Sequence, residues 1–577
     1  MDKVVKIING IGVSIGENRR ILRIILLLVL ALSCFLNLYG IQWGLPALWY
    51  PDEPETIESI VIPMARNLDP NPHIFNKPSL YYYFLEIFLL PYFLYLRIFS
   101  IPIESYTNFV GTVTFISRFV TALTGVLGVY IMYLLGKNLR NEKTGLIAAL
   151  LLTINLGYSG YSHFAYMEVP MLVLILGTLF LCFRYLDNQK VSFLYWASFI
   201  GGLAVSTKFN AGLPIGTSII ICHFVRMRSQ IHTEHSFREI FMVFFSRELF
   251  FSLALVISGF LICTPFSVLD YKTFCGYILK QIFITKGYKV FEESYTWIKN
   301  FIRLKNGFGS PLFVLMVFAF FYGLIRFSKK PSGKEAIIFL IPILYYAYIG
   351  TWRVSAFRYV LPVIPFLVLA GGLFLFHVRR WRKLPRRMTF VVFGIIVVYS
   401  LLFTFRGVRC FTNDTRELAT QWIEEHVGEG CRVEVYSYMS YLPRFSDRVV
   451  VRRITPNYIS ESERYERFRK SRIGNQLLGK MDDDYEEVDN RSEFSLEALS
   501  QRNPDYIVLS GFYYKRYLKK EKDVREMPYP ELSKYFQQLI DGEAGYRAAV
   551  RMENKRMSDF YLNPTILVLQ KIGDFED

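Results

Sequence analysis

Asp52 and Glu53 stand side by side in Trp49-Tyr50-Pro51-Asp52-Glu53, directly after the first long apolar segment of the chain. Lys77 follows in Phe75-Asn76-Lys77-Pro78, just ahead of Tyr81 and Tyr82. Glu168 opens a later apolar run behind the hinge Gly157-Tyr158-Ser159-Gly160-Tyr161-Ser162-His163, and Lys208 and Arg358 mark the ends of two more. A carboxylate in such a place can take a proton from a hydroxyl, and an ammonium or guanidinium ion can hold a phosphate. Charge at the edge of an apolar segment is costly unless it is solvated, paired or used, so these positions are functional candidates. Each also has a plainer reading. Pro-Asp-Glu-Pro-Glu suits a helix N-terminus, Glu168 suits a cap, and Lys77 suits an anchor with its stem along the bilayer. His163 alone reads as a packing or hydrogen-bonding residue.

The elements that must carry these residues are membrane helices. The chain has 577 residues, 52% hydrophobic and 17% aromatic, with a mean hydropathy of +0.27. The apolar residues gather in runs, which marks a polytopic membrane protein. A net charge of +17 does not imply nucleic acid, because the clear basic clusters, Lys329-Lys330 and the stretch from Arg379 to Arg387, sit in short loops between apolar runs. Eleven spans are expected: Ile24–Gly40, Phe119–Gly136, Thr144–Gly157, Val169–Phe183, Val191–Ser206, Ala211–Val225, Leu249–Cys263, Pro311–Ile325, Ala336–Ile349, Val360–Phe376 and Phe390–Phe405. The first is expected to be a retained span, with no cleavable leader ahead of it.

With the N-terminus inside, eleven spans put every basic loop inside, in keeping with the positive-inside rule. A further single crossing at Ser79–Phe99 would invert that pattern, so this aromatic segment is expected to be juxtamembrane or re-entrant, or paired with another crossing. The same topology places the first loop (42–118), Glu168, Lys208, Arg358 and the tail on the outer face. Lys208 and Arg358 run against the charge bias there, which makes them informative. Of the seven cysteines, none has metal-ligand spacing; Cys410 and Cys431 flank a predicted helix and are close enough in sequence to pair in an oxidising compartment.

Two domains are expected: a transmembrane catalytic domain over 1–406 and a soluble α/β domain over 407–577. In the second, Thr415–Val427 reads as a helix and Arg432–Tyr436, Tyr506–Ser510 and Thr565–Gln570 as buried strands. A charged insertion lies near 460–490.

Trp49-Tyr50-Pro51-Asp52-Glu53 with Phe75-Asn76-Lys77-Pro78 resembles the first-loop signature of the GT-C glycosyltransferases, closest to protein O-mannosyltransferase-like enzymes and lipid A aminoarabinose transferases. Further similar motifs follow in order: Arg118 to Gly125, Met167-Glu168-Val169-Pro170, Gly202-Leu203-Ala204 to Thr207-Lys208, Arg358-Tyr359-Val360-Leu361-Pro362, and Asp414-Thr415-Arg416. The resemblance covers about residues 20 to 425 and implies a GT-C fold with about 11–13 transmembrane helices. It also implies transfer of a sugar from a polyprenyl-phosphate donor to a hydroxyl of a protein, lipid or glycan, with inversion, on the outer or lumenal face. Asp52 then takes the place of the base. Lys77, with Arg358 and Lys208, is expected to bind the donor phosphate. Glu168 is expected to orient the acceptor or hold Lys77; it stands where the family usually has aspartate, which leaves its role open. Glu53 binds sugar hydroxyls or holds the loop, and Tyr81, Tyr82 and His163 are candidate substrate contacts. No metal or cofactor is expected. The setting implied is a bacterial cytoplasmic membrane, with the site and tail outside. A lipid-linked-sugar transporter or flippase is the alternative, against which the candidate residues gather at one face without paired broken segments at the midplane; a non-catalytic envelope scaffold, its acids only capping helices, is a third reading.

Overall fold

The computed structural model describes residues 19–230, 246–287, 296–378, 386–454, 471, 491–518, 530–554 and 557–572. Each of the eleven expected spans is a helix. Among the described residues, seven helices are long and apolar enough to cross a membrane, including Arg19–Leu38 (α1), Tyr106–Leu139 (α4), Glu168–Asn188, Ser310–Lys329 and Gly333–Gly350. The others expected, Glu142–Thr153, Val191–Thr207, Gly212–Gln230 and Arg247–Cys263, are shorter or less apolar. Side-chain caps set their starts: Asn141, Ser246 and Ser332 each accept a backbone N–H from the first turn of the helix that follows, as N-cap chemistry requires. Val191–Thr207 and Arg247–Cys263 cross in close contact, because a Cβ on Gly202 would lie 2.2 Å from the Val256 carbonyl oxygen. Small residues allow this approach between membrane helices.

Helix α2 runs from Glu53 through a π turn at Ile57–Val61 to Asn67, and α3 is Leu80–Ile98. α3 lies along the first half of α4. Tyr81 shares a hydrogen bond with Thr121 (2.9 Å), and Tyr92 and Phe93 pack on Phe109. α1 ends at the level of Ala122, whose carbonyl accepts from Asn37 (3.3 Å). The part of α4 beyond Ala122 is therefore enough to match α1, about 26 Å at 1.5 Å per residue. Among the described residues, α3 packs on the part of α4 that projects past α1 and against Val191–Thr207. The end of the bundle reached by Leu139 carries the pairs Arg140–Glu335 and Lys334–Asp187, both 2.5 Å.

The long connection between Cys263 and Ser310 is mostly helical, with Tyr271–Gly287 and the amphipathic Trp297–Phe308. Lys280 lies in the first of these; Lys289 lies outside the described residues, as does the side chain of Lys286.

The C-terminal domain holds the helix Thr415–His426 and a five-stranded mixed sheet, β1 (Arg432–Val435), β2 (Val450–Arg453), β3 (Tyr506–Ser510), β4 (Tyr546–Met552) and β5 (Ile566–Lys571), in the order β2-β1-β3-β5-β4. β1 pairs in parallel with β2 and β3, and β5 pairs antiparallel with β3 and β4. Three of these strands are legible as short buried runs. β2 and β4 are not, because their exposed arginines break the apolar pattern. The charged stretch near 460–490 lies almost wholly outside the described residues. Cys410 and Cys431 are not bonded to each other.

Candidate active site

The first loop places its two acids on opposite faces of one turn. Glu53, Ile57, Ile60 and Met64 follow a helical period and are all buried, while Asp52 and Glu55, three residues apart, share the other face. Glu53 meets Arg118 of α4 in a two-pronged pair, Nε at 2.8 Å and Nη2 at 2.6 Å, with neither side chain exposed. The Ala165 N–H also donates to Glu53 (2.8 Å), and Arg118 donates its remaining hydrogen bonds to the carbonyls of Ile41 (2.9 Å) and Trp43 (2.6 Å). This is a sealed network that ties the first loop to α4 and to the 162–167 hinge. Of the two roles open to Glu53, the geometry assigns the holding one and corrects its place among the catalytic candidates: its carboxylate has no face left for substrate.

Asp52 faces the other way. It stands at the N-cap position of α2 but makes no side-chain cap. Its Oδ2 instead accepts from Arg358 Nη1 at 2.6 Å, and about a fifth of its side chain is exposed. Burial pushes the Asp52 carboxyl up, but Arg358, Lys77 and Lys208 outweigh it and hold it below the usual carboxylate range. Lys77 donates to Glu55 (2.6 Å), which also faces Asn76 Nδ2 (3.4 Å). Lys208 pairs with Glu168, whose second oxygen is buried without a partner among the described residues. Glu168 therefore holds Lys208, and the acid that holds Lys77 is Glu55.

Two tyrosines join these pairs. The Tyr166 ring lies 5.4 Å from Lys77 Nζ and 5.5 Å from Lys208 Nζ, and the Tyr359 ring lies 5.8 Å from Lys208 Nζ and 5.4 Å from Arg358 Cζ. Such contacts favour the cations over the ring faces. Three cations and Asp52 thus surround one aromatic floor at one end of the bundle.

Tyr82 is buried with its hydroxyl unpartnered among the described residues, whereas the Tyr81 hydroxyl is taken by Thr121. His163 is not open to substrate. Its ring stacks on Phe411 at 4.1 Å, both nitrogens lie 2.9 Å from backbone carbonyls, of Ser159 and Tyr39, and burial lowers it to about 4. His163 is therefore a packing residue and not the substrate contact expected from the resemblance. Among the described residues, no three His, Cys, Asp or Glu side chains are grouped to hold a metal ion.

The C-terminal domain reaches the same place. Arg416, fully buried, donates to Asp414 (2.9 Å), to the carbonyls of Trp49 (3.2 Å) and Tyr561 (2.8 Å), and sits over both Trp43 and Trp49. Asp559 pairs with Arg303 (2.6 Å) of the Trp297–Phe308 helix. Phe560 packs on Phe357 and Tyr161 and over Gly160, where a Cβ would lie 2.8 Å from its ring. Sequence reasoning gave no site role to Glu55, Tyr166, Tyr359 or Tyr561. Glu55 had a signal in its three-residue spacing from Asp52, and Tyr359 in the Arg358-Tyr359 motif.

A helical bundle with a charged, aromatic-floored site at one end and a small sheet domain over it is the GT-C fold, and the fold expected from the motifs is borne out. The sequence matches the dolichyl-phosphate-mannose-protein mannosyltransferase family over residues 102–251, which takes in Arg118, Glu168 and Lys208. The structure is similar to the oligosaccharyltransferase of Archaeoglobus fulgidus in its apo form, with a TM-score of 0.50 at 13% identity over 90% of this chain and 73% of that one. It is also similar to ArnT of Cupriavidus metallidurans bound to undecaprenyl phosphate, with a TM-score of 0.52 at 14% identity over 94% of this chain and 97% of that one. At these identities the structural likeness speaks for the fold alone. No protein of curated function matches the sequence. The chain is a multi-pass membrane protein.

Proposed function

We propose that this protein is a membrane glycosyltransferase that moves a sugar from a polyprenyl-phosphate donor to an acceptor hydroxyl, with Asp52 as base. The observation that carries the reading is the convergence of Lys77, Lys208 and Arg358 with Asp52 around Tyr166 and Tyr359. The matched mannosyltransferase family and the undecaprenyl-phosphate-bound ArnT agree with a lipid-linked donor. The acceptor oxygen attacks the anomeric carbon, its proton passes to Asp52, and the bond from that carbon to the phosphate oxygen breaks. The polyprenyl phosphate leaves with the electron pair, and a single displacement inverts the anomeric centre. The leaving group gains negative charge, so cations serve it better than an acid does. The scheme asks for no metal or cofactor. A lipid donor presents its phosphate at the bilayer edge, and we place the site on the outer face, of a bacterial cytoplasmic membrane.

Arg358 has two calls on it in this scheme. It neutralises Asp52 in the structure and is to face the donor phosphate during transfer. A pair of unit charges at 4 Å is worth about 4 kcal/mol at an effective dielectric of 20, so drawing Arg358 toward the phosphate raises the basicity of Asp52 when the donor is present.

The test is a screen of polyprenyl-phosphate sugars with the purified full chain, reading release of polyprenyl phosphate. Asp52→Asn is expected to lower release by about 10²–10⁴-fold, the usual weight of a general base. Wild-type turnover by a folded Asp52→Asn protein would overturn the assignment.

A further inference from the structure

Beside the charged site lies a groove of about 830 Å3 between the first loop and the C-terminal domain. Pro51 and Pro54, which bracket Asp52 and Glu53, form one wall; Tyr438, Tyr441 and Arg453 belong to the other. Tyr441 links the groove to the base. Its ring is parallel to that of Tyr561 within 5°, with centroids 6.4 Å apart, and Tyr561 packs edge-on against Tyr50 at 5.8 Å. Tyr50 in turn stands two residues before Asp52, and Pro51, next to Asp52, lines the groove itself.

The segment that delivers Tyr561 is unusual. Met557, Tyr561 and Asn563 adopt φ of +64°, +59° and +53°, a region that side-chain-bearing residues rarely occupy. Such backbone persists only where its surroundings over-determine it, and it collects at ligand sites. Here the surroundings belong to the transmembrane bundle: Phe560 and Leu562 are buried in the bundle's core, not in that of the sheet domain. The Tyr561 carbonyl is held by Arg416. The chain is bent to carry one partly open tyrosine to Tyr50, two residues before Asp52.

We propose that this groove seats the acceptor and that the acceptor is a saccharide, with Tyr441 in the groove wall and Tyr561, parallel to it and next to the groove, as its aromatic platform; the proposal rests on the transferase reading above. The apolar C–H face of a sugar ring packs on tyrosine rings, which bury large flat area while keeping a polar tip. Arg453 and Glu58, also in the lining, supply a donor fork and an acceptor for hydroxyl groups.

The test uses the full chain with a donor found active in the screen, and three trisaccharides, built of mannose, galactose or N-acetylglucosamine, as acceptors, with a Ser/Thr-rich peptide alongside. Tyr561→Ala and Tyr441→Ala are expected to raise the acceptor KM at least tenfold relative to the donor KM. Arg453→Ala, on the groove wall, is expected to act in the same direction by about three- to tenfold, and it carries the test should Tyr561→Ala fail to fold. Equal changes in the two KM values overturn the groove assignment, and transfer to the peptide with all saccharides inert overturns the acceptor class. If the wild type releases polyprenyl phosphate from no donor, the transferase reading falls. The groove is then read by saturable change of tryptophan fluorescence on adding the trisaccharides, Trp49 lying 5.7 Å from the groove's Arg444; no saturable change overturns it.

Discussion

Arg358 Nη1 lies 2.6 Å from Asp52 Oδ2 although 306 residues separate the two. The contact joins the first loop to the start of a span near the other end of the bundle's sequence, and it makes the candidate base and a candidate phosphate ligand each other's counter-ion.

That pairing sets a pH dependence. The Asp52 carboxyl is held below the ordinary carboxylate range, so it stays ionised, and able to take a proton, until the pH falls through that lowered value. The acid limb of kcat/KM, which reports the free enzyme, is expected below the usual carboxylate range, and that of kcat at higher pH, because the donor phosphate draws Arg358 away. Arg358→Ala is expected to move the kcat/KM limb upward. The stability from the pair follows the same sign: full above the unfolded carboxylate value, lost as pH falls through the folded one. Identical limbs in wild type and Arg358→Ala would contradict this.

Glu53 and Arg118 are expected to matter for folding and not for chemistry. Removing one partner leaves a buried charge uncompensated, which costs about 3–5 kcal/mol. Glu53→Ala or Arg118→Ala should lower the thermal midpoint in detergent markedly, and the pair replaced together by Leu and Met should recover much of the loss. Stability unchanged by either single variant would refute the holding role.

Lys77 and Glu55 should act in opposite directions on the donor. Glu55 occupies the ammonium that a phosphate would use. Lys77→Ala is expected to raise donor KM by tenfold or more, and Glu55→Gln to lower it a few-fold, with added salt narrowing the difference. Changes of the same sign would show that Glu55 supports donor binding.

Gly160 tests the docking of the tail. A side chain there meets the Phe560 ring, and overpacking of this kind costs about 1–3 kcal/mol. Gly160→Leu should loosen the C-terminal domain, seen as faster limited proteolysis between Val408 and Asp414, while the bundle's own unfolding midpoint shifts less.

Much of this architecture is legible in the amino-acid order. Runs of apolar residues give the helices because the bilayer leaves the backbone no other partner, and the convergence of Asp52, Lys77, Glu168, Lys208 and Arg358 follows from counting ends. The split between Asp52 and Glu53 was also within reach, since Glu53 keeps step with Ile57, Ile60 and Met64. What the order conceals is pairing. Nothing in Glu168 says that it takes Lys208 and leaves Lys77 to Glu55, because both acids reach either cation from a linear reading. Tyr561 is hidden for another reason: it sits among ordinary loop residues, and the left-handed backbone around it brings it to Tyr50, beside the loop that carries Asp52.

The dependence of the first loop on Arg416 and Tyr561 also orders events in time. Residues 43 to 53 emerge early in synthesis, but the guanidinium that clamps Trp43 and Trp49 and the ring that packs on Tyr50 come from the far end of the chain. A nascent protein holding a complete set of charges around Tyr166 would still lack the parts that fix the loop carrying Asp52. On the function proposed above, the site would be complete only once the last domain has been made and has docked.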